Sequence, residues 1–582
     1  MSTDFLLFSA FKKAQWILTL LLLSLIKGTS CAQAPAWQMA IAVNQTNPNG
    51  LLVNAATTDT DGNVYIVGRF SGTATFSNST ITGAGSWDMF VAKWSPSSNS
   101  FLWAQAAGGR DQDEATAVAV NGTNIYVTGI FNSATASFGG AVITAAGGDD
   151  VFVTKLIDAG ASASFSWVQQ AGGLFGDYAL SLAVSGTSVY VAGQFGSTAT
   201  FGNVSLTATR TEAFVAKLTD SGTTGAFIWA RSAGGIDIDQ ATAVAVEGTS
   251  VYLAGSFQGT ATFGSITLRN NDNTRLHTDD IFVAKLTDGG STGEFTWALA
   301  AGGSALDRVS AIAVSGPRVF ITGAYYATAN FGGISLTNTG VNNHDMFVAK
   351  LVDAGGSGSF VWVQSAVGAS SDGGDALVVS GATVYAAGTF YSSTILFGAT
   401  TLTSSAPSNR EIFVTKLFDA GTSGDFVWAQ QASSAGLDDA NAIALSGTRV
   451  YVAGNISPVG SFGAHIIPQV GFPSPQSQAG FLASLTDADL LPSSSPALST
   501  ALTVFPNPAH TSVTVRIPAI PGSTQAVVTL IDVLGRPART HDILLPTSTS
   551  DVEVPLSGLI PGLYHLRLQA GNLRLLHTLL VE

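Results

Sequence analysis

Residues 101–131 read FLWAQAAGGRDQDEATAVAVNGTNIYVTGIF, and the order of features in this stretch recurs along most of the chain. Each copy begins near a tryptophan, and the seven tryptophans are Trp37, Trp103, Trp167, Trp229, Trp297, Trp362 and Trp428. Successive copies lie 62 to 68 residues apart. Self-similarity at such a period is the signature of a repeat architecture. The sequence therefore predicts one structural unit repeated seven times.

Each copy contains the pattern of several β-strands. An alternating run at 115–120 is joined by a Gly-containing turn at 121–124 to a second run centred on Tyr126. Two alternating runs separated by such a turn predict a β-hairpin. A Phe-Gly group at Phe138 and the segment FVTKL at 152–156 complete the period. We predict four principal strands and one small hairpin per copy, with almost no helix, because no run has a sustained 3.6-residue period.

The two ends of the repeat array are complementary. The first copy begins at the tryptophan strand (36–43), with no FVAKL-like strand before it. The last copy ends at an FVAKL-like strand (480–486), with no tryptophan strand after it. Pairing of these two strands would complete every unit and leave no free sheet edge. We therefore predict a seven-bladed β-propeller over residues 35–486, closed by pairing of 36–43 with 480–486.

The repeat pattern resembles a known group. The order Trp, Gly-Gly, Asp, Ala-x-Ala-Val, Tyr-Val-x-Gly and Asp-x-Phe-Val-Ala-Lys-Leu is similar to the bacterial β-propeller repeats abbreviated SBBP, over about residues 37–486. The resemblance implies the propeller fold. It implies no single activity, because propellers serve as enzymes, binding proteins and scaffolds.

The charge of the chain limits its partners. Only 11% of the residues are Asp, Glu, Lys or Arg, and the formal net charge is −14. A negative field repels phosphate backbones and anionic lipid. Nucleic acid is therefore not expected as a partner.

The N-terminus has the features of an export signal. Lys12 and Lys13 precede an apolar run at 17–26, and small residues follow up to Ala32. This pattern is typical of a secretory signal peptide, predicted over residues 1–32 with cleavage after Ala32. Ten apolar residues cannot span about 30 Å of hydrocarbon as a helix, so no transmembrane anchor is expected after cleavage. In an alternative interpretation Cys31, the only cysteine, becomes a lipidated N-terminus.

The C-terminal part differs in composition from the repeats. Residues 487–500 form a polar linker that contains prolines, and residues 501–582 contain short alternating runs separated by turn residues. Such runs predict a small Ig-like β-sandwich. The fold class predicted for the whole chain is all-β, a seven-bladed propeller followed by this sandwich.

Three motifs of this part are similar, in order, to the type A sorting domain of the type IX secretion system. They comprise Phe505, Pro506, Asn507 and Pro508, then Asp532, Gly535 and Arg536, and finally Gly562 and Tyr564. Phe505 replaces the usual Tyr of the family. The resemblance implies that the type IX secretion machinery is a partner of this domain. It also implies that the protein is secreted or placed on the outer cell surface.

The polar residues that recur in every copy are predicted to be structural. The repeated Asp, as at Asp113, is expected to cap the turn before the innermost strand. The repeated Lys, as at Lys155, is expected to form a hydrogen bond or ion pair between blades. The repeated Trp and Tyr are expected to pack between adjacent sheets.

No catalytic constellation, metal site or cofactor site is predicted. The seven histidines are scattered, and no nucleophile elbow, phosphate loop or Cys-His pair is present. Residues 59–62 (Asp-Thr-Asp-Gly) resemble the start of a calcium loop. They lack its terminal Glu and coincide with a predicted hairpin turn.

Recognition is expected in the variable inserts, since loops on a rigid scaffold usually carry binding. The longest polar insert spans 268–280 and supplies the candidate ligand-binding residues Arg269, Asp272, Arg275 and His277. The alternative is that this insert is a solvated loop without function.

Two functions follow as hypotheses. The first is a non-enzymatic surface or secreted protein that binds a glycan or protein ligand, with a role in adhesion. The alternative is a secreted polysaccharide hydrolase or lyase that uses the propeller as its scaffold. The second hypothesis requires acids, Tyr or His that break the repeat at one mouth of the ring.

Overall fold

The computed structural model describes residues 33–45, 50–271, 278–338, 340, 343–405, 409–457, 459–468, 477–487, 503–517, 525–532, 537–544, 550–570 and 573–582. Every regular element in these ranges is a β-strand, so the prediction of an all-β chain is confirmed for them. The predicted signal peptide and most of the predicted linker lie outside the described residues. No helix within the described ranges has the length and apolar character needed to cross a membrane.

Seven units of four antiparallel strands, here called sheets 1 to 7, follow one another along the chain. Their strands, in spatial order from the first to the fourth, are Leu51–Thr58, Val64–Phe70, Asp88–Ser95 and Ser100–Gly109 in sheet 1; Asp113–Asn121, Asn124–Phe131, Asp150–Asp158 and Ala163–Gly173 in sheet 2; Tyr178–Ser185, Ser188–Phe201, Val204–Asp220 and Gly225–Ala233 in sheet 3; Gln240–Glu247, Ser250–Phe257, Asp280–Asp288 and Gly293–Gly303 in sheet 4; Arg308–Ser315, Arg318–Tyr326, His344–Asp353 and Gly358–Gly368 in sheet 5; Asp372–Ser380, Thr383–Phe390, Glu411–Asp419 and Gly424–Ala432 in sheet 6; and Asp439–Ser446, Arg449–Ile456, Ala479–Thr486 and Trp37–Ala42 in sheet 7.

The fourth strand of sheet 7 comes from the beginning of the repeat region. Residues Trp37–Ala42 pair antiparallel with Ala479–Thr486, in a register that places Ile41 opposite Leu482. Sheet 7 therefore joins the two ends of the repeat region through backbone hydrogen bonds.

Small hairpins connect neighbouring sheets. They are Thr73–Phe76 with Ser79–Thr82, Thr135–Phe138 with Ala141–Thr144, Thr260–Phe263 with Ile266–Arg269, Thr328–Phe331 with Ile334–Thr337, Thr394–Phe397 with Thr400–Thr403 and Gly460–Phe462 with His465–Ile467, whereas in sheet 3 the hairpin is continuous with the two middle strands. Each hairpin pairs with the end of the preceding fourth strand, as Ala136 does with Gly109. The short strand Asn44–Gln45 pairs in the same way with Thr73–Phe76 of sheet 1.

The Gly-Gly pair of the repeat allows this close approach. A Cβ atom added at Gly173 would collide with the carbonyl oxygen of Thr198 on the hairpin of sheet 3, and Gly303 meets Thr328 in the same way. Only a residue without a side chain lets the two backbones pair at this point. The glycines therefore define where one sheet contacts the next.

Apolar side chains fill the spaces between neighbouring sheets. Between sheets 3 and 4, for example, Val215 and Trp229 share one buried cluster with Leu253 and Phe282. The same holds between sheets 7 and 1, where Leu482 and Tyr451 share a cluster with Ile66. All seven sheets are thus packed face to face, including the two at the ends of the series.

A buried aspartate links each sheet to the one before it. Asp220, at the end of the third strand of sheet 3, accepts hydrogen bonds from three side chains of sheet 2. Lys155 Nζ and Tyr126 Oη lie 2.6 Å from Asp220 Oδ2, and Trp167 Nε1 lies 3.0 Å from Asp220 Oδ1. One carboxylate thereby gathers the repeated Lys, Tyr and Trp of its neighbour.

The same link occurs six times. The aspartates are Asp158, Asp220, Asp288, Asp353, Asp419 and Asp487, and their lysines are Lys93, Lys155, Lys217, Lys285, Lys350 and Lys416. The prediction that the repeated Lys joins adjacent units is confirmed. Burial alone would raise the pKa of Asp220, but hydrogen bonds from Lys155 and Tyr126 hold it below the ordinary value.

The junction between sheets 7 and 1 lacks this link. Ser484 stands where the other sheets have the lysine, because it pairs with Tyr451 as Lys155 pairs with Tyr126. Pro96 stands at the position of the aspartate, two residues after the third-strand tryptophan Trp94. Here the ring of Trp94 packs on Tyr451, with centroids 6.0 Å apart. Aromatic packing replaces the ion pair at this junction.

The C-terminal part forms a separate pair of sheets. Thr503–Phe505, Ser512–Ile517 and Ser550–Pro555 make a three-stranded sheet, and Pro537–Leu544, Gln525–Asp532, Gly562–Ala570 and Leu573–Val581 make a four-stranded one. Val515 and Ile517 of the first sheet share one buried core with Leu530 and Leu566 of the second. We call residues 503–582 the C-terminal sandwich.

Removal of one linking carboxylate should destabilise the repeat region strongly. The substitution Asp220→Ala leaves the buried ammonium of Lys155 without its counter-ion and two other buried donors without an acceptor, and it should lower the free energy of unfolding by about 3–5 kcal/mol. Urea denaturation of residues 33–582 measures this. The double variant Lys155→Met/Asp220→Leu should lose much less, because it buries no unpaired charge. A loss below about 1 kcal/mol for the single variant would contradict the role of the link.

Candidate functional site

One end of the seven sheets carries side chains that differ from sheet to sheet. The first strand begins, the second ends and the third begins at this end, and we call it the mouth. Three positions per sheet vary there. The first position follows an aromatic residue near the end of the second strand, or Ile456 in sheet 7, and holds Ser71, Asn132, Gly196, Gln258, Tyr326, Tyr391 and Ser457. The second precedes the acid at the start of the third strand, or Ala479 in sheet 7, and holds Trp87, Asp149, Thr211, Asp279, His344, Arg410 and Gln478. The third follows the repeated Asp at the start of each unit, or Leu51 in sheet 1, and holds Leu52, Glu114, Tyr178, Gln240, Arg308, Gly373 and Asp439. We call this set the mouth belt.

Polar contacts join the belt residues around the mouth. Asp149 accepts hydrogen bonds from Asn132 Nδ2 at 2.8 Å and from Tyr178 Oη at 2.7 Å. Asp279 accepts in the same way from Gln258 Nε2 at 2.7 Å and from Arg308 Nε at 3.3 Å. The belt is therefore a connected surface that runs from sheet to sheet.

Charged residues of the belt are paired in further sectors. Glu114 forms a salt bridge with Arg69 of the second strand of sheet 1, at 2.9 Å. Asp439 pairs with Arg410 and accepts a hydrogen bond from Gln478 Nε2 at 3.0 Å. These carboxylates already have partners within the protein.

Aromatic rings lie beside cations or imidazole in three sectors. Arg69 stacks over Trp87 at 4.7 Å, and Arg410 lies 6.0 Å from the ring of Tyr391. The rings of Tyr326 and His344 lie 4.9 Å apart, and His344 Nδ1 is 2.9 Å from Tyr326 Oη. Burial lowers the pKa of His344, and the charge of Arg308 adds to this shift. The imidazole is therefore neutral at neutral pH.

A cavity of about 310 Å³ lies among the seven first strands, and every one of them contributes to its lining. Each first strand has a β-bulge there, and the bulged residues are Asn54, Thr116, Leu180, Thr242, Ser310, Asp375 and Asn441. Several reach the next sheet, as Thr116 Oγ1 does with the carbonyl of Ala179 at 2.7 Å. Asp375 is the only acid in this ring, and burial together with the charge of Asp439 raises its pKa to about 7.

The repeated Asp at the start of six of the seven units has the predicted capping role, and Leu51 stands in its place in sheet 1. Asp113 accepts hydrogen bonds from the Gly109 amide at 2.6 Å and from Ser133 Oγ at 2.8 Å. A second acid, at the start of the third strand, lies next to it. In sheet 1 this is Asp88, whose Oδ2 accepts from the Ala84 amide at 2.7 Å and whose Oδ1 has no hydrogen-bond partner among the described residues. The sequence analysis assigned no role to this second acid.

Burial raises the pKa of these paired acids. The pKa rises to about 7 for Asp177, Asp239, Asp372 and Asp438, and to about 8 for Asp307, mainly through desolvation. Two carboxylates close together in a buried site cannot both be ionised readily. The acids with a pKa of about 7 or 8 are therefore partly protonated near neutral pH, and they act as structural groups.

The candidate ligand-binding residues of the sequence analysis are only partly described. Arg269 is exposed at the end of the small hairpin of sheet 4, opposite Thr260. Asp272, Arg275 and His277 lie outside the described residues. The insert that carries them leads directly to Asp279 of the mouth belt.

The belt itself was missed by the sequence analysis. Its signal was present, because the belt positions vary among the copies while the neighbouring Asp, Phe and Gly positions recur. Comparison of the seven copies position by position would have found it. Across the part of the chain that the structure describes, no group of three or more His, Cys, Asp or Glu side chains suited to a metal ion was found.

The motif residues of the C-terminal sandwich contribute to its packing. The side chain of Asn507 accepts a hydrogen bond from the Leu580 amide at 2.9 Å, and Tyr564 Oη donates to the carbonyl of Ile560 at 2.8 Å. The ring of Phe505 lies 5.2 Å from the guanidinium of Arg516. Asp532 ends a strand, Gly562 begins another, and Gly535 and Arg536 lie outside the described residues.

Comparison with family models decides the role of this part of the chain. The model described as "Secretion system C-terminal sorting domain" matches residues 503–582. The C-terminal sandwich is a sorting domain. The predicted type IX sorting domain is thereby confirmed, and the chain is delivered to the cell surface or the extracellular space. The sorting domain implies handling by the type IX secretion machinery.

The other comparisons add nothing about function. The search of curated proteins finds no match to this chain. Among solved structures, a glycoside hydrolase of family 32 from Bifidobacterium adolescentis is 11% identical, with 93% of this chain and 95% of that chain covered. Its TM-score is 0.24, and nothing is inferred from this similarity.

The paired acids predict a distinctive dependence of stability on pH. Acids whose folded-state pKa is raised stabilise the fold below their unfolded pKa, near 4, and this contribution is lost as pH rises through 6–8. The linking aspartates have lowered pKa values, so their contribution is lost as pH falls below about 4. Stability should therefore be highest at about pH 4 and should decline as pH rises toward about 7. Urea midpoints measured from pH 3 to 9 test this.

A matched variant identifies the groups responsible. The substitution Asp372→Asn removes one raised acid, so it should flatten the decline of stability between about pH 4 and 7, the interval between its unfolded and folded pKa. An unchanged slope, or a wild-type maximum above pH 8, would show that the pairs are not protonated in the fold.

Proposed function

We propose that this protein is an exported binding protein. In this proposal the repeat region is a seven-bladed β-propeller that recognises a glycan or protein ligand at the mouth belt and catalyses no reaction. The sorting domain delivers it to the cell surface or the medium. The observation that carries the proposal is the belt, where a scaffold of near-identical units carries a different combination of three side chains in every unit.

The propeller assignment rests on four kinds of contact. Seven four-stranded sheets pack face to face, small hairpins join consecutive sheets, and Trp37–Ala42 completes sheet 7. The first strands of all seven sheets line one cavity. We propose the division into a signal peptide (1–32), a propeller (35–486), a linker (487–500) and an Ig-like sorting domain (501–582). In this proposal the repeats belong to the SBBP type.

The state of the belt carboxylates supports binding without catalysis. A hydrolase acting on glycosidic bonds needs two carboxyl groups that face the scissile bond with oxygens available to it. The belt acids Glu114, Asp279 and Asp439 are instead held by neighbouring Arg or Gln side chains. A lyase or hydrolase remains the alternative function, and Asp375 is the residue such an enzyme would need to use.

The belt chemistry suits polar ligands with flat apolar faces. Trp87, Tyr326 and Tyr391 offer rings, while guanidinium, amide and carboxylate groups around them offer hydrogen bonds. Sugar rings combine apolar C–H faces with hydroxyl edges, and such mixed surfaces bind aromatic side chains flanked by polar groups. In this proposal the insert with Arg269, Asp272, Arg275 and His277 extends the same surface beyond Asp279.

A glycan array tests the proposal. Residues 33–582 should bind at least one class of immobilised glycan, and the double variant Tyr391→Ala/Arg410→Ala should weaken that binding at least tenfold. The variant Thr187→Ala, in an exposed turn at the opposite end of sheet 3, should bind as the wild type does. Product release from the same glycans, abolished by Asp375→Asn, would favour the enzymatic alternative. An unchanged affinity of the double variant would remove the belt from the proposal.

A further inference from the structure

A pocket of about 510 Å³ opens on the belt at sheet 3. Phe175, Tyr178, Gln194, Gly196 and Arg210 line it, together with neighbouring backbone of the same sheet. Its volume lies in the range of small-molecule sites, about 300–1,000 Å³. It is formed by one sheet and the loop before it, so it needs no other part of the ring.

The pocket exists because of a glycine that the other sheets lack. Gly196 occupies the belt position where the other six sheets have Ser71, Asn132, Gln258, Tyr326, Tyr391 and Ser457. A Cβ atom at Gly196 would lie 3.2 Å from Cβ of Phe175. A side chain larger than a methyl group at this position would therefore fill the space beside Phe175. Sheet 3 alone leaves this space open.

An exposed aromatic ring forms one wall. Phe175 is 56% exposed, and the matching loop positions of the other sheets carry Asp111, Asp237, Ala305, Ser370 and Gly436. Tyr178 is the second ring, and its hydroxyl is held by Asp149 at 2.7 Å. This hydrogen bond raises the pKa of Tyr178 to about 12, so the phenol stays neutral. Two aromatic groups in fixed positions thus face an open space.

The lining of the pocket also includes a guanidinium without a carboxylate partner among the described residues. Arg69, Arg308 and Arg410 of the mouth are each paired with an acid. Arg210 forms no salt bridge or side-chain hydrogen bond within the described part of the chain, and it is exposed. A guanidinium is suited to bind a carboxylate through two parallel hydrogen bonds. Gln194 adds an amide that can donate and accept.

We infer that this pocket binds a uronic acid residue of a glycan, with the sugar carboxylate on Arg210, the ring on Phe175 and a hydroxyl on Gln194. The inference rests on the proposed binding function and names a ligand class for one sector of the belt. A sugar is favoured over a peptide because the two rings and the Gln194 amide match a flat ring with hydroxyl edges. A carboxylate is favoured because Arg210 pairs with no acid of the described residues.

Titration calorimetry with oligogalacturonate and its methyl ester tests the inference. The acid should bind residues 33–582 at least tenfold more tightly than the ester, which has the same rings but no negative charge. Affinity for the acid should fall as salt rises, because the contact is charged and exposed. Arg210→Gln should reduce the affinity for the acid to that for the ester. Arg110 is an exposed arginine on the loop between sheets 1 and 2, which matches the loop that carries Phe175. Arg110→Gln serves as the control and should leave the affinity for the acid unchanged.

The variant Gly196→Asn fills the pocket with the residue that sheet 2 has at this position. It should abolish binding of the acid, and an unchanged thermal midpoint shows that the fold is retained. Gly196→Ala adds a single methyl group and should weaken binding less than Gly196→Asn.

The outcomes separate this inference from the general proposal. Equal binding of acid and ester, or equal binding by Gly196→Asn and wild type, overturns the assignment of this pocket. Binding of polyglutamate as tight as that of oligogalacturonate overturns the sugar class. Glycan binding that Tyr391→Ala/Arg410→Ala removes and Gly196→Asn leaves intact keeps the belt and rejects the pocket. If the wild-type protein binds no glycan and no protein, both the pocket and the general binding proposal are rejected.

Discussion

The structure of the repeat region depends on one buried carboxylate that is shared between neighbouring sheets. Apolar packing between sheets is strong but not directional, so it permits sliding. Asp220 prevents sliding because its two oxygens accept from Lys155, Tyr126 and Trp167, which lie on different strands of sheet 2. Burial makes any misplacement costly, since a displaced lysine would be left without its anion. Six repeats of this link fix the angle and height of each sheet against the last. In sheet 5, Phe320 stands in place of the repeated tyrosine and has no hydroxyl to donate. There Arg318 Nη1 lies 3.7 Å from Asp419 Oδ2, so a second cation contacts the linking carboxylate.

This rigid frame explains why the mouth can vary. The linking aspartates follow the third strands, at the far end from the belt, and the capping acids lie just beneath the belt. Both sets of acids hold the backbone in place, so the side chains of the mouth belt contribute little to the stability of the fold. One position of the belt carries six different side chains in the seven sheets, namely Trp87, Asp149, Thr211, Asp279, His344, Arg410 and Gln478. Sites placed on rigid elements are held more precisely than sites on free loops. The variation is therefore concentrated where a ligand could reach it.

Much of the fold could be predicted because it is repeated. The all-β class and the role of Lys155 followed from period and alternation, since each signal occurred in copy after copy. The partner of Lys155 could not be predicted in this way, because Asp220 lies 65 residues away and belongs to the next unit. The acid pairs were also hidden, since Asp88 and Asp113 meet only after the third and fourth strands of sheet 1, which lie between them in the sequence, have paired. For the site, the most charged insert gave the clearest signal in the sequence, and it predicted Arg269, Asp272, Arg275 and His277 as ligand-binding residues. Gly196 gave no such signal, because it leaves the pocket open by having no side chain, and a missing side chain does not stand out as charge in the sequence.

The contribution of Trp37–Ala42 to sheet 7 imposes an order on assembly. During synthesis this strand is made first, and its partner, Ala479–Thr486, is made more than 400 residues later. Throughout that interval the nascent chain presents unpaired strand edges at both ends, which invites pairing with other chains. The last partner strand emerges just before the sorting domain that directs passage through the outer membrane. Sheet 7 can therefore be completed only after residue 486 has been made, and a chain released before that point would keep unpaired strand edges.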